Sequence, residues 1–246
     1  MKKMILSLLM LGCALHMYAL STENTLILLN ETGVLDYSIY KKNIPSMRKS
    51  WMEATKGVSY NYAAHIAESG RVYRMMYFKG EENLGKYIGM RSAVADKAYA
   101  ENKAMADENE ANHSQATKRS TWYLKTDLTF TDPGFVMEEN DFRRVEIITV
   151  PFDKISTFEK LVAQTNAADL ALGLSYNYIV YRALDGYPTN TYMIIIADKS
   201  RLAYYTKLEE RNTKRKSDSK LAGLNKQIGN LTTLERMDHL YRVPIK

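Results

Sequence analysis

Side chains able to hold a metal, attack a carbonyl or relay a proton are sparse in this chain of 246 residues. Of the four histidines, His16 lies in an apolar leader-like stretch, and His65, His113 and His239 stand too far apart in sequence to form a ligand pair on one helix or hairpin. Cys13 is the single cysteine. We find no Gly-rich phosphate loop, nucleophile elbow, zinc-protease helix or EF-hand loop. The residues therefore lead us to expect no metal and no cofactor.

What remains is a repeated word, "GVSYNY" at Gly57–Tyr62 and "GLSYNY" at Gly173–Tyr178. If "SYNY" opens a strand, side chains alternate, so Tyr60, Tyr62, Ala64 and Ile66 share one face and Asn61, Ala63, His65 and Ala67 the other. In the second copy Tyr176, Tyr178, Val180 and Arg182 oppose Asn177, Ile179, Tyr181 and Ala183. His65 and Tyr181 then occupy equivalent places, each four residues past the repeated asparagine, and aligning the last strand of each half pairs Trp122 with His239. Asn61, His65, Trp122, Asn177, Tyr181 and His239 are the candidate lining of a pocket for a small apolar or aromatic ligand, since polar and aromatic groups converging in an apolar cavity are what such a site needs. The plainer alternative has the asparagines satisfying backbone groups at a turn and the histidines and tryptophan packed or at a rim. The 18 tyrosines suit half-buried strands without any ligand.

The elements that would hold these residues repeat as well. A β-rich run ("TLILLN", "VEIITV") precedes an amphipathic stretch in each half: Ile44, Met47, Trp51 and Ala54, with Pro45 placed in its first turn, and Phe158, Leu161, Val162, Thr165, Ala168 and Leu172, with Ser156 as a cap. Gly57 and Gly173 stand where helix stops belong. Each word leads into a hairpin turning at Ser69-Gly70 or Asp185-Gly186. A second helical pattern follows, at Leu84, Tyr87, Ile88, Arg91 and Val94 or at Leu202, Tyr205, Leu208 and Asn212, and then a strand ends each half.

The order β-α-β-β-α-β, written twice, is an α+β class arrangement of two tandem ferredoxin-like repeats. We place the first at residues 24–130, a linker with a Pro-Gly turn at 131–141, and the second at 142–246. The two sheets would pack face to face, each burying what the other exposes, which contributes on the order of 10 kcal/mol. This arrangement resembles the dimeric α+β barrel superfamily, which includes antibiotic-biosynthesis-type monooxygenases, haem-degrading members and NIPSNAP-like proteins. The resemblance implies a ligand space between sheet and helices or between the sheets, and a monomer with pseudo-two-fold symmetry.

Residues 1–19 read as a signal peptide, with Lys2 and Lys3 before an apolar run too short to span a bilayer, and the destination as periplasmic or extracellular. The rival reading has "MLGC" lipid-anchored through Cys13. No later stretch is a membrane span, and an exported protein is not expected to meet nucleic acid. Of the net +6, residues 141–246 carry 17 basic against 12 acidic side chains, much of this in "KLEERNTKRKSDSK" at Lys207–Lys220, which we read as a solvated helix face. With no acid–base or nucleophile constellation visible, the first expectation for function is an exported non-catalytic binding or structural module. The alternatives are a cofactor-independent monooxygenase-like or haem-handling enzyme with its pocket in the barrel, and a surface protein binding anionic lipid or polysaccharide.

Overall fold

A computed structural model of the chain describes residues 25–132, 134–174 and 176–243. The expected signal peptide and Cys13 lie outside these residues. The first half runs β1 (Leu26–Gly33), α1 (Tyr37–Ala54), β2 (Tyr60–Ala67), β3 (Arg71–Phe78), α2 (Gly80–Glu101), α3 (Lys103–Ala111) and β4 (Lys118–Leu124). The second runs β5 (Phe142–Thr149), α4 (Ile155–Ala171), β6 (Tyr178–Asp185), β7 (Thr191–Asp198), α5 (Arg201–Ser217), α6 (Ser219–Leu231) and β8 (Thr233–Arg242). The eight strands form one closed antiparallel barrel in the order β1-β3-β2-β8-β5-β7-β6-β4. Each half contributes four neighbours in the same internal order, β4-β1-β3-β2 and β8-β5-β7-β6.

The expectation of two sheets meeting only face to face is refined by this closure. Their edges pair directly, through Ala67↔Leu240, Ile66↔Tyr241 and His65↔Arg242 at one seam and Trp122↔Ala183, Tyr123↔Arg182 and Leu124↔Tyr181 at the other. Pairing satisfies backbone groups that free edges would leave open to other chains. The barrel interior is filled with side chains from all eight strands, among them Ile27, Leu29, Met75, Trp122, Val145, Tyr181, Ile195 and Leu240. The outer face of each half's sheet is covered by its own helices, with Phe158, Tyr178, Tyr192 and Tyr204 in the second half and Leu28, Phe78, Leu84 and Tyr87 in the first.

Both repeated glycines end helices in the left-handed region, at φ 100° for Gly57 and 64° for Gly173. Gly186 is the strictest of the turn glycines. Its φ is 79°, and a Cβ there would sit 2.2 Å from the Arg119 carbonyl oxygen on β4, so the hairpin tip can press against the seam only without a side chain.

Several local expectations change. Helix α1 starts two turns earlier than expected, capped by Asp36 accepting from Ser38 N at 2.7 Å, which puts Pro45 in its interior. Ser156 lies inside α4, which follows a 3₁₀ turn at Phe152–Lys154 and has no side-chain cap. The polar stretches after each long helix are themselves helical, as α3 and α6. In α5 the inward stripe is Tyr204, Leu208, Arg211 and Arg215, while Leu202 points outward at 78% exposure. Trp122 and His239 are not equivalent. Trp122 faces Ile27 across β1, and the matching residue of β8, facing Arg143 on β5, is Leu240. A slip of one residue moves a side chain to the other face, so Trp122 points into the barrel and His239 out of it.

Candidate functional site

The outer face of the second half's sheet and its three helices enclose a cleft of about 330 Å³. That lies at the small end of ligand pockets, which run roughly from 300 to 1,000 Å³. Ile148, Val180, Ile194 and Ile196 form its floor, Phe158, Val162 and Leu208 its apolar wall, and Tyr176, Tyr178 and Tyr204 its phenolic wall. Strand alternation puts the floor residues on the helix side, and the spacing of three and four in α5 brings Arg211 and Arg215 in over them.

Charge in the cleft is unevenly paired. Arg215 grips Asp169, itself 1% exposed, through Nε to Oδ1 at 2.7 Å and a second bond from Nη2 to Oδ2. Arg144 pairs with Glu146 two residues along β5 and donates to Tyr204 Oη at 2.6 Å. Among the described residues, Arg211 is left with only a 3.8 Å approach to the Asp169 oxygen that Arg215 already holds, and its buried Nε has no hydrogen-bond partner. Its guanidinium carbon sits over the Tyr176 ring, 3.7 Å from the centroid. Burial, and then the Arg215 cation, push its pKa down from the ordinary arginine value. Three guanidiniums thus face two carboxylates in an apolar space, leaving one buried positive charge uncompensated. Buried charge of this kind is costly unless something pairs with it.

Two of these phenols, Tyr176 and Tyr178, are held protonated. Burial raises Tyr176, and burial raises Tyr178 to about 12 even with Arg211 nearby to oppose it. Tyr178 donates to Asn166 Oδ1. They can serve as neutral donors or ring walls, and not as bases near neutral pH.

The six residues expected to line a pocket divide differently. His65, Trp122 and Tyr181 come together in the filled barrel interior, none more than 3% exposed. Trp122 Nε1 donates to Ser120 Oγ at 2.8 Å. His65 has neither ring nitrogen hydrogen-bonded, and burial, then Arg143 and Arg242, hold its pKa well below the usual histidine value. Asn177 fastens the loop after β4, accepting from the Asp132 backbone N–H at 2.6 Å. Asn61 sits exposed near the start of β2. His239, on the outside near the β2–β8 seam, lies 3.2 Å from Tyr205 Oη. None of the six is among the residues lining the cleft.

Of its charged residues, Arg211 and Arg215 were missed because "KLEERNTKRKSDSK" reads as a solvated run, and Arg144 and Glu146 because they sit within a β-rich run, Phe142–Thr149. The signal that could have found them is an arginine at the inward spacing of Tyr204 and Leu208.

No family model matches the chain, and no curated protein matches it. Solved structures do. A proposed monooxygenase from Lactobacillus acidophilus NCFM is similar with a TM-score of 0.56 at 10% identity, covering 90% of this chain and 95% of that one. An anthrone oxidase-like protein gives 0.57 at 10% identity, covering 90% and 92%. A haem-binding protein from Thermus thermophilus gives 0.51 at 8% identity, covering 89% and 91%. The fold is that of the dimeric α+β barrel proteins, as the element order implied. These likenesses correct the first functional expectation. The solved proteins of this fold that the chain resembles are described by monooxygenase, oxidase-like and haem-binding names, which speaks against the non-catalytic module.

Haem can be tested against the cleft. Its iron is held by an axial His, Cys, Met or Tyr. The lining includes no His, Cys or Met, burial keeps Tyr176 and Tyr178 protonated, and Tyr204 Oη already accepts from Arg144. The residues do not fit haem. Among the described residues no group of three His, Cys, Asp or Glu side chains could hold a metal ion, and no helix is long and apolar enough to cross a membrane.

Proposed function

We propose that the second-half cleft is the substrate site of a cofactor-free oxygenase-like enzyme. Its substrate would be a small aromatic compound with an acidic O–H or C–H. The observation that carries this reading is the surplus guanidinium of Arg211 at an apolar, ring-walled cavity, a setting that stabilises an organic anion far better than water does. Glu146, the one carboxylate among the lining residues, is the group placed to accept the proton. An electron-rich anion held there can react directly with O₂: a CH₂ becomes C=O with one oxygen atom of O₂, and the other leaves as water.

The likeness to an anthrone oxidase-like protein favours a fused-ring phenol or anthrone as the first substrate to try. The test is oxygen uptake by the purified chain with anthrone, with no haem or metal added. Glu146→Gln should lower kcat by about 10²-fold or more if it is the base. Wild-type turnover only after haem loading, or no uptake and no binding, would overturn the proposal.

We also infer that the halves descend from one copied unit. The shared internal strand order and the paired seams support reading the barrel as a pseudo-dimer within one chain.

A further inference from the structure

The equivalent space in the first half, between its sheet and helices α1 and α2, holds three more arginines, and their surroundings differ. Arg74 comes from the middle of β3, where its register partners are Asn30 and Ala64. It donates from Nη2 to Thr32 Oγ1 at 3.1 Å, and its Nε is buried without a partner. Arg48 projects from α1 over the Tyr62 ring at 5.6 Å, again with a buried, unpartnered Nε. Arg91 follows Tyr87 by one turn on the inward stripe of α2. They act on two phenols in pairs that share Arg74: Arg74 and Arg48 on Tyr62, Arg74 and Arg91 on Tyr87.

Among the described residues none of the three forms an ion pair. The acids of this half are engaged elsewhere or lie outward: Glu108 holds Lys42, Glu82 holds Lys86, and Glu31 points into the barrel to Arg236. Two guanidiniums, Arg48 and Arg74, bearing on Tyr62 and a third, Arg91, bearing on Tyr87, with no carboxylate among the described residues paired to any of them, are an arrangement that mutual repulsion and desolvation both oppose unless an anion completes it. Each is only partly buried, so solvent can deliver one. Burial keeps Tyr40 and Tyr62 protonated, leaving their hydroxyls able to donate.

We propose that this first-half cluster, Arg48, Arg74 and Arg91 with the phenols of Tyr40, Tyr62 and Tyr87, is a binding site for a dianionic small molecule of the phosphate-monoester class. Guanidinium forks match phosphate oxygens in pairs, and a dianion offsets most of three positive charges. The aromatic walls favour an organic group on the phosphate over the bare ion. This site is separate from the second-half cleft and does not depend on the reaction proposed there.

The test is calorimetric titration of the full chain with phenyl phosphate and with inorganic phosphate, at ionic strength held constant with chloride. Saturable binding of phenyl phosphate, tighter than of inorganic phosphate, is expected, with Arg74→Met and Arg91→Gln each weakening it at least tenfold, Arg74→Lys recovering part of the loss, and the surface variant Arg201→Ala leaving it unchanged. Arg91→Gln, on a partly exposed helix face, keeps the test open if Arg74→Met fails to fold. No saturable heat with either probe, affinity unchanged in the Arg74 and Arg91 variants, or loss in Arg211→Met alone would overturn the proposal.

Discussion

The two sheet–helix spaces of this barrel are built on one plan and filled oppositely. In the first half Trp51, Tyr60, Phe78 and Tyr87 pack together at the Tyr60–Phe78 end of the sheet, with Tyr60, Phe78 and Tyr87 centroids 5.2 to 5.5 Å apart and Trp51 Nε1 bonded to Tyr87 Oη at 3.0 Å. In the second half the matching region is the open cleft. The register shows which substitutions decide it. Arg74 stands across from Asn30, and at the corresponding place Ile194 stands across from Glu146. One half puts a cation on the sheet with no acid; the other puts an acid on the sheet and brings its cations in from β5 and α5. A shared backbone thus leaves the chemistry of each space to a handful of side chains.

The sharpest way to break this comparison is to remove the buried acid. Asp169→Asn would leave Arg215 and Arg211 facing each other in an apolar cleft, and stripping one partner from a buried ion pair costs about 3–5 kcal/mol. Urea unfolding should show that loss in the midpoint. Arg74→Met should cost little or stabilise, because its cation has no carboxylate to lose. If both variants lose equal stability, the two clefts are not electrostatically different and the contrast fails.

The comparison also marks what the amino-acid pattern could reveal. The repeated "SYNY" and its flanking glycines made the element order and strand faces legible, since period-two alternation is a local property. Closure was not legible, because edge pairing between β2 and β8 joins residues more than 170 positions apart. The register of β8 escaped for a related reason. Its pairing with β5 shifts between Ile147, opposite Arg236, and Ile148, opposite Leu234, so counting residues along it does not preserve the face. In α5 an apolar stripe through Leu202 and Tyr205 looks better than the true one, which includes Arg211 and Arg215. Those arginines are inward because an aromatic ring and a buried carboxylate receive them, and both lie on other elements.

His65 gives a medium-sized test, within the shared barrel rather than either cleft. Its imidazole stays neutral in the fold well below the usual titration range, while the unfolded chain takes up a proton near pH 6.5. The unfolded state binds more protons below that point, so this residue's contribution is complete above about pH 6.5 and is lost as pH falls, by up to about 1.4 kcal/mol per pH unit. Comparing unfolding of wild type and His65→Leu between pH 7.5 and 5 should show that extra acid sensitivity in the wild type alone. Equal slopes would mean that the ring is protonated, and hence not sealed in the barrel.

The smallest effect is expected at the surface between the halves, where Arg201 Nη1 meets Glu68 Oε1 at 2.7 Å. Both side chains are nearly half exposed, so the pair contributes little and should fade with salt. Arg201→Ala therefore separates two accounts of what joins the halves. If strand pairing at the seams and the common interior hold them, thermal unfolding stays a single transition and shifts by no more than about a degree or two. If the variant instead splits unfolding into two steps, surface charge is fastening two separately folding units, and the barrel is less continuous than its hydrogen-bond ladder implies.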